Sequence, residues 1–190
     1  MTEEIFERYA GEYDAWYDVH RSVYHAELAR IQSVLPPVDA RSVEVGVGSG
    51  RFAGPLGIRL GIEPSRALGG MAYRRGIDVI RGRAESLPLR DNSCSLALLV
   101  TVLCFLDDPH GALAELYRIV VPGGALVIGF LERDGPVVRT YLREGEKGRF
   151  LSHARFFSSD EVRGLLRQAG FSVLSGDSRQ GFGVFVAKKD

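Results

Sequence analysis

The chain has 190 residues with 24 Lys or Arg and 24 Asp or Glu, so its formal net charge is zero. Opposite charges are spread along the sequence, which argues against a nucleic-acid or anionic-membrane partner, because both need a positively charged surface. The longest apolar run, 96–106, includes Thr101 and is far shorter than the about 20 residues needed to cross a bilayer. The length fits one domain, residues 1–190.

The N-terminus and the cysteines also exclude some classes of protein. Met1-Thr2-Glu3-Glu4 is acidic and no apolar core follows, so the sequence predicts no secretory signal and a cytoplasmic protein. Cys94 and Cys104 have neither a C-x-x-C spacing nor a histidine at metal-ligand spacing. They are interpreted as buried thiols, and no metal site is predicted.

Residues 1–36 carry apolar and aromatic side chains at helical spacing before Pro36-Pro37. The pattern predicts two helices with a break near 21–22. Tyr9, Tyr13 and Tyr17 recur every four residues, so the same pattern predicts that they share one helical face.

A glycine-rich turn follows the first predicted strand, within Val43–Phe52. Three glycines spaced two apart allow positive φ and a close approach of backbone to a ligand. The dinucleotide fingerprint G-x-G-x-x-G would need its third glycine at position 51, which is Arg51. The sequence instead reads G-x-G-x-G, led by Glu44, a carboxylate that disfavours a pyrophosphate and suits a ligand carrying a sulfonium and an amino group.

The second predicted strand, 58–63, ends in Glu63-Pro64-Ser65. An acidic residue about 20 residues beyond the first glycine can accept hydrogen bonds from ribose hydroxyls. Glu63 therefore indicates a nucleoside without choosing between cofactors; the alternative is a solvated loop carboxylate. Ser65 is predicted to cap a helix that runs to about Arg75, with Gly76 as its end.

Only seven residues, Arg51 to Gly57, separate the glycine turn from the second strand. A parallel crossover usually takes about 10 to 12 residues. The sequence therefore predicts a single turn or an irregular loop here, less cover on one sheet face, and weaker cofactor binding.

The remaining elements alternate between strands and helices. Asp108-Pro109 predicts a helix start, and Ser158 with Glu161 predicts a capping box. Further strands are predicted at 77–80, 96–106 (including the exit turn of the strand), 124–130, 171–176 and 182–188. The predicted fold is α/β, a Rossmann-like, doubly wound, mostly parallel seven-stranded sheet (residues 40–190) with an antiparallel last strand, preceded by the N-terminal helices.

Several segments occur in the order and spacing of one enzyme family. They are the glycine turn, Gly61-Ile62-Glu63-Pro64-Ser65, Gly82-Arg83-Ala84-Glu85-Ser86-Leu87-Pro88, 91–103, and the block from Asp108-Pro109 to Pro122-Gly123-Gly124. Together they resemble the class I S-adenosylmethionine (SAM)-dependent methyltransferases, in particular the small ubiquinone-biosynthesis type. The resemblance implies SAM as cofactor and the following binding residues: Glu44, Gly46, Gly48, Gly50, Glu63, Pro64, Ser65, Ala84, Glu85 and Thr101.

The segment from Phe6 to Tyr17 resembles the lid helix of the same group. This implies that Tyr9, Tyr13 and Tyr17 cover the cofactor and shape the acceptor pocket; plain packing against the domain is the alternative. Candidate bases are His20 and His25, beside the break in the lid, and His110, in the first turn after the fourth strand. Each of them could instead be an ordinary surface residue.

The resemblance implies methyl transfer to a small molecule through O, C or N, because no N/D-P-P-Y/F motif follows the fourth strand. Two alternatives stay open: a non-catalytic SAM-binding or regulatory protein, and an oxidoreductase that uses NAD. The residues identify neither the acceptor nor a monomeric or homodimeric state.

Overall fold

The computed structural model describes residues 2–144 and 148–190. Its strands are β1 (Ser42–Val45), β2 (Leu60–Ile62), β3 (Asp78–Ile80), β4 (Cys94–Val100), β5 (Val120–Leu131), β6 (Ser172–Arg179) and β7 (Phe182–Lys188). They form one sheet in the order β3-β2-β1-β4-β5-β7-β6. β1 to β5 are parallel, and β7 is antiparallel to β5 and to β6. This confirms the predicted Rossmann-like sheet.

Eight α-helices accompany the strands in the described part of the chain. They are α1 (Thr2–Arg8), α2 (Ala10–Val19), α3 (Arg21–Val34), α4 (Ala53–Leu56), α5 (Arg66–Arg74), α6 (Pro109–Ile119), α7 (Pro136–Glu144) and α8 (Ser159–Gln168). The predicted helix starts are present: Ser65 Oγ accepts from Leu68 N, Asp108 accepts from Gly111 N, and Ser158 with Glu161 forms the capping box. α7 was not predicted, because its β-branched residues weaken the helical signal.

The N-terminal region contains three helices, whereas the sequence predicted two. The backbone leaves helical geometry at Tyr9 (φ −118°, ψ 28°) as well as at His20 (φ −106°, ψ 44°). The second break lies next to the position expected from the sequence. The first separates the short helix α1 from α2 and changes the direction in which Tyr9 points.

The short crossover is a single turn, α4, which ends at Gly57 with φ +79°. We expected the sheet face beside it to be poorly covered. Instead Tyr17 from α2 and Tyr24 from α3 are buried there against Phe52, with ring centroids of Tyr24 and Phe52 5.6 Å apart. Aromatic side chains of the N-terminal helices thus take the place of a longer crossover helix.

β4 runs through the centre of the sheet and is buried on both faces. Ala97 and Leu99 belong to the core shared with α6 and α8, whereas Leu96, Leu98 and Val100 face the side of α2 to α5. Burial of each such leucine stabilises the fold by about 1.5–3 kcal/mol. Both cysteines are buried and free, as predicted. Within residues 2–144 and 148–190, no helix has the length and apolarity that a membrane crossing requires.

Candidate functional site

A cavity of about 580 Å³ opens where the sheet order reverses between β1 and β4, at the carboxyl ends of the strands. This is the place where open α/β sheets bind ligands. Seven of the residues predicted to bind a cofactor line this main cavity: Gly46, Gly48, Glu63, Pro64, Ala84, Glu85 and Thr101. Three others do not line it: Glu44, Gly50 and Ser65.

The three glycines of the turn have different roles. All have positive φ, +70° at Gly46, +54° at Gly48 and +84° at Gly50. A Cβ at Gly46 would lie 2.3 Å from Val102 Cγ2, and one at Gly50 would lie 2.5 Å from Ile77 Cδ1. A Cβ at Gly48 would meet only Tyr13, at 3.6 Å. Packing therefore requires glycine at 46 and 50, while Gly48 borders the open space.

This difference predicts that Gly50→Ala lowers thermal stability more than Gly48→Ala does. Both variants place alanine in the left-handed region, at about 1–2 kcal/mol each. Only Gly50→Ala also presses on Ala72 Cα, at 3.2 Å, and on Ile77, which adds about 1–3 kcal/mol. Melting curves followed by circular dichroism check this, and equal midpoints would contradict it.

Glu63 is 6% exposed and connects two parts of the site. Its Oε2 accepts from Gly48 N and its Oε1 from Ser65 N, both at 2.9 Å. Burial raises the pKa of Glu63 to about 7, against the opposing effect of the two backbone N–H groups. Each carboxylate oxygen has a second lone pair, so the side chain can also accept from hydroxyl groups of a ligand in the main cavity.

Glu44 lies behind the glycine turn and does not line the main cavity. It borders a separate void of about 10 Å³, together with Tyr13, Tyr17 and Arg51. Its Oε2 is buried with no hydrogen-bond partner among the described residues, and burial raises its pKa well above the usual range. An orphaned carboxylate oxygen of this kind needs a donor.

The opposite wall is built from the segment after β3. Ala84 is buried there, and Glu85 Oε1 accepts from Asp107 N at 3.2 Å. Arg83 Nη2 donates to Asp107 Oδ2 at 2.8 Å. These contacts join the segment after β3 to the segment after β4 and close the side of the cavity where the resemblance expects adenine.

Thr101, the first residue after β4, has φ +53°, which is unusual for a residue other than glycine. Its N–H donates to Gly129 O at 2.8 Å, which holds it in place. Backbone strain of this kind concentrates at functional sites because the surrounding structure must stabilise it. Here it brings Thr101 to the main cavity, which Tyr13 also lines.

The prediction that the three lid tyrosines share one face is wrong for Tyr9. Tyr13 lines the main cavity, and its hydroxyl lies 2.9 Å from that of the buried Tyr17. Tyr9 lies outside the main cavity, with the Arg149 guanidinium 3.6 Å from its ring centroid. The physical reason is the break at Tyr9, which removes this residue from the helical repeat of α2.

An aromatic cluster covers the end of the main cavity beside Tyr13. Phe6 lies at its centre, with its ring centroid 5.2 Å from Tyr13, 5.0 Å from Phe105 and 5.3 Å from Phe150. Desolvation raises the pKa of Tyr13 to about 12. Its hydroxyl is therefore protonated at neutral pH and can donate.

The structure does not bring the three candidate histidines to the main cavity. His20 is exposed and stacks on Trp16 at 4.5 Å. His25 is exposed beside Tyr24, and His110 is exposed in the first turn of α6. These histidines lie near the predicted lid break or strand end along the sequence, but none of them lines the main cavity.

Sequence reasoning missed Glu7 and the roles of Phe6 and Phe105. Glu7 Oε2 accepts from Ser65 Oγ at 2.7 Å and from Ala67 N at 3.0 Å, so α1 is fixed to the N-terminus of α5. These bonds hold the pKa of Glu7 below its usual value. The available signal was the F-E-R-Y run inside the lid segment, but a partner 58 residues away cannot be read from spacing.

Comparison with known proteins gives a consistent family. Residues 43–128 match the family described as Methyltransferase domain. A crystal structure from Thermotoga maritima, a SAM-dependent methyltransferase and "possible histamine N-methyltransferase", is 40% identical. The match covers 98% of this chain and 99% of that one, with a TM-score of 0.92.

Two curated relatives are uncharacterized. A Methanocaldococcus jannaschii protein is 35% identical over 167 residues, which cover 88% of this chain and 80% of the relative. A Mycobacterium tuberculosis protein is 36% identical over 171 residues, covering 88% of this chain. The match spans 60% of the length of that relative.

Proposed function

Because this chain belongs to the SAM-dependent methyltransferases, with SAM as methyl donor, we propose that it transfers the methyl group to a small-molecule acceptor. The observation that carries the proposal is the main cavity. It connects Glu63 and the glycine turn with the aromatic cluster around Phe6. One end suits a nucleoside, and the other offers an apolar space lined by hydroxyl groups.

In this proposal the cofactor-binding residues act as follows. Glu63 accepts from the ribose hydroxyls, the backbone of Ala84 and the side chain of Glu85 meet the adenine, and Pro64 and Ser65 shape the turn beside the ribose. Gly46 and Gly48 contact the methionine portion. Glu44 lies behind the turn, across Tyr13 from the main cavity, and we assign it no direct contact with the cofactor. Gly50 contributes through packing of the turn.

Methyl transfer from SAM requires few catalytic groups from the protein. SAM supplies a methyl group already activated by its sulfonium leaving group. The chain aligns an acceptor in line with that group and excludes water, which in general can contribute a large share of a rate enhancement. Phe6, Tyr13 and Phe105 form the apolar cover, and the Tyr13 and Thr101 hydroxyls orient the acceptor. The three histidines have no role in this proposal.

An amine nitrogen is one acceptor class that this arrangement suits. A neutral amine attacks through its lone pair and needs no base before the transfer. The name of the Thermotoga relative agrees with this choice. Oxygen and carbon acceptors remain part of the proposal. The zero net charge is our reason for expecting a small acceptor rather than a nucleic acid, and a cytoplasmic location is part of the same proposal.

We expect SAM and its demethylated product, S-adenosylhomocysteine, to bind with micromolar dissociation constants in calorimetry, whereas NAD does not bind. Incubation with methyl-labelled SAM and a cell-extract metabolite pool is then expected to label a small molecule. Binding of NAD without SAM would overturn the proposal in favour of an oxidoreductase. Binding of SAM without transfer to any acceptor class would indicate a non-catalytic SAM-binding protein.

A further inference from the structure

Asp14 belongs to the lid segment but lies outside the main cavity. Its carboxylate is bound bidentately by Arg51, with Nε to Oδ1 at 2.8 Å and Nη2 to Oδ2 at 2.9 Å. Arg51 directly follows the last glycine of the turn. A bidentate arginine–carboxylate pair fixes orientation as well as distance. Helix α2 is therefore joined to one end of the glycine turn.

The same carboxylate reaches the turn a second time through Arg75. Arg75 Nη2 donates to Asp14 Oδ2 at 2.8 Å, and Arg75 Nη1 donates to Ser49 O at 2.6 Å. Tyr24 of α3 donates to Arg51 O. Asp14 is thus the shared partner of the Arg51 side chain and of Arg75, which holds Ser49 O on one side of Gly50. Arg51 also donates to Asp18 of the same helix, from Nη2 to Oδ2 at 2.7 Å.

These interactions are partly shielded from water. The Asp14 and Arg51 side chains are 18% and 17% exposed. Burial on its own would raise the pKa of Asp14, but the hydrogen bonds from Arg51 and Arg75 outweigh it and hold that pKa well below its usual range. The carboxylate therefore stays charged across working pH, and its removal leaves two guanidinium groups without their shared partner.

The position of Asp14 also sets the position of Tyr13. The Tyr13 ring lies against Gly48 and separates the main cavity from the void beside Glu44. Glu63, at the nucleoside end, bonds to Gly48 N and Ser65 N without any contact to Asp14. Asp14 thus controls the backbone and ring at one end of the site and not at the other.

We propose that Asp14 is a positioning residue that sets affinity for the methionine portion of the cofactor. It acts through Arg51, Arg75 and Tyr13. The inference rests on the proposed function, because it presupposes that SAM occupies the main cavity with its methionine portion at the glycine turn. Asp14 is distinguished from Asp18, which also pairs with Arg51, by its second partner Arg75 and by its side chain being 18% rather than 53% exposed.

Binding of two ligands distinguishes a positioning role of Asp14 from a general contribution to the stability of the fold. S-adenosylhomocysteine carries the amino-acid portion, and adenosine lacks it. For Asp14→Asn, calorimetry is expected to show at least tenfold weaker binding of S-adenosylhomocysteine, with less than a threefold change for adenosine. A loss of fold would weaken both ligands equally. Glu12→Gln is the matched control: it lies on the same helix, is 61% exposed and pairs with Arg149.

Arg75→Gln serves as a second variant if Asp14→Asn does not fold. It removes the bonds to Asp14 and Ser49 O and leaves the Asp14–Arg51 pair in place, so the same selective loss is expected. Equal weakening of both ligands, or unchanged binding of both, overturns the inference. If the wild-type protein binds neither SAM nor S-adenosylhomocysteine, the proposed function fails first, and that result is distinguishable from the others.

Discussion

Glu63→Ala is expected to weaken SAM binding by about 1–3 kcal/mol, roughly 5- to 150-fold in the dissociation constant. The wild-type carboxylate is buried, accepts two backbone N–H groups at 2.9 Å, and faces the main cavity with its remaining lone pairs. Alanine removes the acceptor that we propose for the ribose and leaves Gly48 N and Ser65 N without their partner. Calorimetry with SAM and with adenosine measures the loss, which should be equal for both.

Glu63→Gln is expected to be nearly as harmful. Both carboxylate oxygens accept from backbone donors, and a glutamine amide has only one oxygen. Its NH₂ group would face either Gly48 N–H or Ser65 N–H, donor against donor. Asp91→Asn is a suitable control, because its side chain is 71% exposed and pairs with Arg118 away from the cavity. Unchanged affinity in Glu63→Ala would remove Glu63 from the site.

The second large effect concerns stability and involves Glu27 of α3. This residue is buried, with 8% of its surface exposed. Burial raises its pKa from 4.5 to about 7, and nearby Arg30 only partly opposes this. We expect Glu27→Gln to stabilise the protein at pH 8–9 by about 3 kcal/mol relative to wild type, since each pKa unit corresponds to 1.36 kcal/mol.

The direction of this pH dependence follows from the protons that Glu27 binds in the folded and in the unfolded chain. Between pH 4.5 and about 7, folded Glu27 keeps a proton that the unfolded chain has released. The stabilisation of the folded protein by this bound proton is complete below pH 4.5 and is lost as pH rises through about 7. Because glutamine does not titrate, the difference in free energy of unfolding between Glu27→Gln and wild type should increase between pH 4.5 and about 7 and stay constant above that range.

Denaturant unfolding at pH 5 and pH 9 measures this gap. The other titrating groups, including Glu63, are common to both proteins and cancel in the difference. Glu12→Gln on the neighbouring helix is the control variant, because its side chain is 61% exposed. A gap of the same size at both pH values would show that Glu27 is ionised throughout, and the explanation would be wrong.

Local chemistry accounts for the parts of the fold that the sequence predicted well. Capping by Ser65, Asp108 and Ser158 involves residues at most three positions apart. The single-turn crossover follows from chain length, because seven residues cannot form a long helix and reach the next strand. The continuous apolar run of β4 predicts a strand buried on both faces. Each signal depends on neighbours in the sequence.

The sequence placed most of the predicted site residues at one edge of the sheet but not in their detailed arrangement. The glycine turn, Glu63 and the 82–88 segment meet in the main cavity, because parallel strands bring their carboxyl ends to one edge of the sheet. Glu44 lies behind the turn because side chains alternate along β1, and spacing does not say which face borders the cavity. The histidines lie outside because their elements direct them to solvent.

Periodicity and turn chemistry along the chain are properties of short segments, and they specified the sheet, the helix caps and the place of the binding edge. The sequence did not predict the helix break at Tyr9. It also did not predict two sets of long-range contacts, that of Glu7 with Ser65 and those of Asp14 with Arg51 and Arg75, which join residues up to 61 positions apart. Such contacts depend on how completed elements pack, and several partners of suitable charge compete for each one. The packing of the completed helices and strands determines which of these partners meet, and therefore which side chains surround the cavity.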